Sequence, residues 1–269
     1  MYHKSEISPD EPIIFDGNEP AVNPPEGMGK GFSGRDFDAY PLGSLAKQAD
    51  SAVIPRSEWD HIILSMEKAK TRPSDYANFL NVECLNQGST NYSWASAPIY
   101  CVMFARAASG LRNITLSTAS VGATVKHFKN EPGCIIEAIE HIFEFGAVSN
   151  ENWPQNEIEM SYNVASNISS FRGTRVVDWY DLAPGNFDQL MTHLLKRIPV
   201  AVGYNWWSHA VVAADPVAFG DGKYGIRVRS SWGNNYGDNG YIILTENQAS
   251  PDEAIAIGSP TANFDQFGV

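Results

Sequence analysis

The sequence predicts an α+β fold of two lobes, one helical and one built on an antiparallel sheet. Three observations carry that prediction. The stretch from 94 to 108 is apolar on nearly every side, with Ser96, Tyr100 and Arg106 as its few polar positions. A helix of that kind belongs in the middle of a domain. A second helical face recurs at Ile135, Ile136, Ala138, Ile139, Ile142 and Phe143. From Thr174 onward the pattern changes to short runs of β-branched and aromatic residues separated by turn residues.

Taken in order, residues 1–52 are rich in Pro, Gly and Asp, with isolated apolar side chains at Ile13, Ile14, Phe15, Phe32, Phe37 and Tyr40. Such a segment cannot bury enough apolar surface to offset its own ordering entropy. It is expected to be an extended arm, held by widely spaced anchors on partner subunits and separate from the domain's core. Ser57 then opens a short amphipathic helix with Trp59, Ile62, Ile63 and Met66 on one stripe, and Pro73 ends it. A second short piece at 76–80 leads to the Gln87-Gly88 loop, where Asn, Ser and Thr side chains are suited to cap the central helix. Pro98 should bend that helix or leave one carbonyl unpaired. Gly110 sits where a left-handed helix stop is expected, and Gly146 closes the next helix. These elements make a helical lobe over about 53–173.

The second lobe covers about 174–248. Residues 174–180 read as a strand, and Asn186 caps a helix whose buried stripe is Phe187, Leu190, Met191, Leu194 and Leu195. Strands are expected at 199–204 and 208–214. Gly220-Asp221-Gly222 is a hairpin turn into a strand at 224–230, and one more strand spans 240–246. Residues 249–269 read as a second polar tail carrying Phe264 and Phe267.

The chain holds 19 basic and 31 acidic residues, a formal net charge of −12. That sign repels phosphate backbones, and no basic stripe offsets it, which argues against nucleic acid as a partner. No apolar run is long enough to span a bilayer, and the polar N-terminus is not a signal peptide. A protein made in the cytoplasm and not bound to membranes is expected. Cys84, Cys101 and Cys134 form an odd set without metal-ligand spacing and are read as reduced. The six histidines are scattered, so neither a metal nor another cofactor is expected. Asn113 and Asn167 open glycosylation-type triplets that carry no meaning without secretion.

Gln87-Gly88-Ser89 followed by Ser93-Trp94-Ala95 resembles the active-site segment of papain-like cysteine peptidases, Gln-Gly-Ser-Cys-Gly-Ser-Cys-Trp-Ala. Ser208-His209-Ala210-Val211 resembles the strand that carries the family's histidine. Ser231-Trp232-Gly233 and Gly237-Asp238-Asn239-Gly240-Tyr241-Ile242 resemble its Asn-Ser-Trp-Gly … Gly-Glu-Asn-Gly-Tyr-Ile block. The three occur in the family's order over roughly residues 80–246. The resemblance implies a papain-like fold with the site in the cleft between the lobes. It also implies the roles: Ser93 stands where the family has its nucleophilic cysteine, Ser230 where it has the orienting asparagine, and Thr90 where it has a disulfide cysteine. Gln87, the oxyanion-hole side chain, and His209 are kept. The N-terminal region is too short and too Pro-rich to resemble the family's helical prosegment.

A thiol titrates near ~8.5 and is driven to thiolate by a helix N-terminus and an imidazolium. A serine hydroxyl in the same place needs a neutral histidine as base and a third group to fix its tautomer. Ser230 is shorter than asparagine and lacks an amide oxygen, so it fails the family's pattern for the third group, though a water could bridge it to His209. Exchange at Ser93 alone would resemble deliberate inactivation. The second exchange at Ser230 is not needed for that and favours a site degenerate by nature. The first reading is therefore a catalytically inactive pseudopeptidase serving as a structural or interaction component, with a phage virion protein such as a head decoration as the expected example. The alternatives are a hydrolase using Ser93 and His209, and a module that holds an extended peptide without cutting it. Trp206, Trp207 and Trp232 are candidate groove residues, and Cys84 is a displaced nucleophile only if it points into the cleft.

Overall fold

The computed structural model describes residues 13–17, 23–43, 47–48, 53–163 and 174–260. Arm residues 1–12, the triplet at Asn167, and Phe264 and Phe267 lie outside them. Helix α1 is Arg56–Ala69, α2 is Pro73–Phe79, α3 is Ser93–Ala108, α4 is Thr118–Val125, α5 is Ile135–Glu144, α6 is Phe187–Leu195 and α7 is Glu246–Ala249. Strands β1 (Ile14–Phe15), β2 (Lys47–Gln48), β3 (Val176–Asp181), β4 (Val200–Tyr204), β5 (His209–Gly220), β6 (Lys223–Arg229), β7 (Tyr241–Thr245) and β8 (Glu253–Pro260) form one sheet. Its order is β1-β7-β6-β5-β4-β8-β3-β2. The inner pairings are antiparallel, while β1 on β7 and β2 on β3 are parallel.

Helix α3 is the centre, as its composition requires: every residue from Ser93 to Ala107 is buried. It packs on β4, β5 and β8 and against α2, α4 and α5, and the helix continues through Pro98. The sheet alternates faces along each strand. Ala201, Ala210, Val212, Ala214, Ile255 and Ile257 join the α3 core. Val200, Val202, Val211, Ala213, Ala254 and Ala256 face a second core holding Trp59, Ile63, Phe187, Leu190 and Leu194. The small alanines on the strands leave room for whole helices to settle on both faces. Asn186 caps α6 by accepting from Gln189 N at 3.0 Å, and Gly110 and Gly146 take the left-handed conformation expected of helix stops.

Three sequence expectations need correction. Sequence order puts helix α1 in the helical lobe, but Trp59 and Ile63 place it in the second core, across the sheet from α3. The tail expected from 249 onward instead begins with α7 and β8, and β8 lies between β3 and β4. Its alternating Ala254-Ile255-Ala256-Ile257 is buried on both faces and so cannot be a solvated tail. The described parts of the arm do not stand off the core. Phe15 and Ile13 pack on the second core, β1 and β2 close the two edges of the sheet, and residues 28–35 thread the cleft. Edge pairing and two buried anchors meet the ordering cost within the chain's own domain.

One of those anchors is ionic. Arg35 is buried and forms a bidentate pair with Asp181 of β3, both contacts at 2.9 Å, while its remaining donors reach the carbonyls of Tyr40 and Pro41. Glu253 of β8 lies 3.9 Å from Arg35 and accepts the first amides of α5, Ile135 N at 2.8 Å and Ile136 N at 2.9 Å. Burial pushes the Glu253 carboxyl up from 4.5 to about 7, against the pull of those two amides and Arg35. The folded chain therefore keeps a proton that the unfolded chain has released. This contribution to stability is full below about 4.5 and is lost as pH rises through about 7, on the order of 3 kcal/mol.

Two measurements follow. Urea midpoints taken across that window should show wild type losing stability relative to Glu253→Gln as pH rises; a constant gap between the two would mean that Glu253 is ionised throughout. Trp94, fully buried and in edge contact with Tyr92, should cost about 3–5 kcal/mol when replaced by alanine. An unchanged denaturation midpoint would contradict its placement in the core.

Candidate active site

The cleft opens where the first turn of α3 meets the start of β5. No side chain caps α3: Tyr92 occupies the N-cap position without a side-chain bond. This corrects the expectation that a nearby Asn, Ser or Thr would do so. The Ser93 amide instead donates to the Lys30 carbonyl at 3.2 Å. Gln87 Nε2 donates to the same oxygen at 2.8 Å and to the Thr90 carbonyl at 2.6 Å. Its Oε1 accepts from Ser231 Oγ at 2.5 Å, so one buried side chain ties three segments together. Thr90 closes the loop by donating its hydroxyl to the Gln87 carbonyl at 2.7 Å.

His209 begins β5, fully buried, stacked on Trp232 at 4.1 Å and in edge contact with Trp207 at 5.0 Å. Its Nε2 lies 3.0 Å from Ser230 Oγ. The serine therefore reaches the ring directly, without a bridging water. They come close because Ser230 follows β6, the neighbour of β5, and its amide is fixed on the Gly240 carbonyl at 2.9 Å. A hydroxyl can donate or accept, however, so it does not select one ring tautomer as an amide oxygen would. Among the described residues Nδ1 has no hydrogen-bond partner. Burial, and secondarily the charge of Lys30, hold the His209 pKa well below its usual range, so the ring is neutral. Ser93 Oγ does not close the set. It accepts from Ala210 N at 3.2 Å.

The remaining sequence candidates divide. Trp232 lines the cleft and donates Nε1 to the Gly29 carbonyl at 2.8 Å. Trp207 is core packing behind His209, and Trp206 is a partly exposed rim residue stacked on Trp207 at 5.4 Å. Cys84 is half-buried beside Tyr100 and lines a different depression with Arg227, Arg229 and Asn239, so it is not a displaced nucleophile for this cleft.

Residues that sequence reasoning passed over fill the cleft. Gly29 N donates to the Gly88 carbonyl at 2.8 Å. Gly31 N and Phe32 N both donate to the Ser208 carbonyl, at 3.3 and 3.2 Å. Gly133 N donates to the Gly31 carbonyl at 3.0 Å, and Ser33 N to the Gly133 carbonyl at 2.9 Å, a parallel pairing. A Cβ on Gly29 would run into the Thr90 carbonyl; one on Gly31, whose φ is +119°, would run into that of Asn91. The signal present in the sequence is the pair of glycines flanking Lys30 ahead of an aromatic residue. The strap seals Gln87, Ser93 and His209 from solvent, leaving each at 0% exposure. Two donors aimed at one carbonyl are an arrangement able to stabilise an oxyanion, but the nucleophile–base contact is missing.

Among the described residues no helix is long and apolar enough to cross a membrane, and no cluster of His, Cys, Asp and Glu could hold a metal. No protein-family model matches the sequence, nor does any curated protein. Solved structures do match. Digestive procathepsin L 3 of Tenebrio molitor larval midgut superposes with a TM-score of 0.61 at 18% identity, over 87% of this chain and 76% of that one. Procathepsin B S9 from Trypanosoma congolense gives 0.59 at 16%, over 86% and 87%. Xylellain, a cysteine protease from Xylella fastidiosa, gives 0.58 at 14%, over 89% and 99%. The architecture around this cleft is the papain-like fold of the cysteine proteases.

Proposed function

We propose that this protein is a catalytically silent papain-like domain that holds a peptide chain in its cleft without cutting it, and that it works as a structural or interaction component. One observation carries the reading: Ser93 Oγ is turned to Ala210 N while Nδ1 of His209 has no partner. A serine nucleophile acts only when an aligned base takes its proton, and that alignment is missing. The depressed pKa of His209 works in the same direction, since a weakly basic ring is a poor acceptor for a hydroxyl proton. The direct contact of Ser230 with His209, together with the paired donors of Gln87 and Ser93, favours the second reading, a Ser-His hydrolase kept shut by its strap. A role within a larger assembly, such as a virion, belongs to the first reading. Because residues 28–35 are used inside their own chain, attachment would rest on other surfaces or on residues 1–12 and 261–269.

Blocked and inert are separable. Gly31→Val should expel the strap, since a side chain there meets the Asn91 backbone. Fluorogenic peptide and ester substrates should show no turnover with wild type or with Gly31→Val. Turnover in Gly31→Val that disappears on adding His209→Ala would establish the hydrolase. In the same background Ser93→Cys should yield little thiol-protease activity and Ser93→Cys with Ser230→Asn more, because nucleophile, base and orienting group act as a unit. Full activity from the single exchange would show that the Ser230 hydroxyl orients the ring well enough.

A further inference from the structure

Only two side chains beyond glycine are buried between residues 23 and 43, Phe32 and Arg35, and they sit in sites of opposite chemistry. Phe32 joins the α3 core over Gly203 of β4, where the missing side chain makes the room: a Cβ on Gly203 would lie within the Phe32 ring's own contact radius. Arg35 enters a cage made by the Asp181 carboxylate, the Glu253 carboxylate and the carbonyls of Tyr40 and Pro41. From Gly31 to Ser33 the backbone pairs with Gly133 on one side and Ser208 on the other. Backbone pairing accepts many sequences, whereas an apolar socket and an acidic cage at fixed spacing do not.

We propose that the cleft and the cage form one bipartite peptide-binding site, selective for an extended segment with an aromatic residue three positions before an arginine. Phe32 and Arg35 fill it in cis, and a segment of the same pattern from another chain takes their place when they withdraw. This deepens the silent, peptide-holding reading given above and rests on it. The cage is the selective half. Its carboxylates come from β3 and β8, elements of the sheet that stay in place when the strap leaves, and a guanidinium is the side chain whose planar fork matches a bidentate carboxylate. Vacated, it would strand two buried acidic groups, which favours refilling by another arginine. The socket is held open by a glycine in the middle of a strand, a position where strands otherwise prefer side chains.

The test uses the full-length chain. Arg35→Gln empties the cage, and a labelled synthetic peptide of residues 26–42 carrying the native Arg should bind it, read by fluorescence anisotropy, while wild type, with its own strap seated, should not bind. Peptides with Arg35→Gln or Phe32→Ala should each bind at least about tenfold more weakly. Adding Gly203→Val to the protein should abolish capture by closing the socket. If Arg35→Gln fails to fold, Arg35→Lys, which keeps the charge but lacks the bidentate fork, supplies a second host and should accept the same peptide. Failure of both folded hosts to bind, or equal binding of all three peptides, overturns the bipartite site. Cleavage of the captured peptide, seen by mass spectrometry, would overturn the silent reading and leave the bipartite site standing.

Discussion

Helix α3 is buried from Ser93 to Ala107, so the amides of its first turn cannot turn to water for partners. An unpaired buried amide costs about 1–3 kcal/mol. Tyr92 offers no capping oxygen, and the Lys30 carbonyl supplies one from the N-terminal strap. Much of the cleft follows from that contact. For a backbone carbonyl to approach the helix start, the chain beside it must be stripped of side chains, which Gly29 and Gly31 accomplish. Once there, the strap lies within pairing distance of Gly133 on one side and Ser208 on the other. Gln87, the other donor to Lys30, is held by Ser231, so the helix start, the strap and the end of the sheet lobe are one hydrogen-bonded unit.

The Arg35 cage fixes the same strap from its other end by different physics. A buried ion pair is weak evidence of net stability because desolvation offsets most of the Coulombic gain. Its use here is registry. Asp181 and Glu253 belong to neighbouring strands, and Glu253 also holds the first amides of α5. The cage thereby joins the N-terminal strap, a strand from the C-terminal end of the sheet, and the helix that follows Gly133. Sliding the strap by one residue would move Arg35 away from both carboxylates and Phe32 away from Gly203. The bidentate geometry thus chooses a single register where the backbone pairing alone would tolerate several.

The sequence disclosed the elements with strong periodicity and the turns with demanding backbone geometry. Helix α3, the α5 face, the Asn186 cap and the Gly220–Gly222 hairpin were legible because their signals are local. The cleft residues Gln87, Ser93, His209, Ser230 and Trp232 were legible through motif order, and the fold does bring them together. Three things were not. Strand β8 is an alternation of alanine and isoleucine among polar neighbours, and its burial on both faces depends on strands far away in sequence. The strap's ligands are backbone groups, which carry no residue-type signature. Arg35 carries no local sign of burial, because the partners that bury it, Asp181 and Glu253, lie 146 and 218 positions further along the chain.

A kept histidine and a kept glutamine invite a catalytic explanation, and the contacts here remove the need for one. Replacing Gln87 would strand the Ser231 hydroxyl and take a donor from both the Lys30 and the Thr90 carbonyls. Replacing His209 would open a gap between Trp207 and Trp232 in a fully buried layer, a loss of packing of the kind that costs about 2–5 kcal/mol for large side chains. Each residue is therefore required by the fold. Catalysis makes further demands that the fold does not: Nδ1 facing the nucleophile, a third group that selects one tautomer, and a cleft reachable from solvent. Those added demands are the ones unmet around Ser93. On the silent reading proposed above, architecture and chemistry come apart along that line, with the side chains that support both still present and the features that serve only chemistry missing.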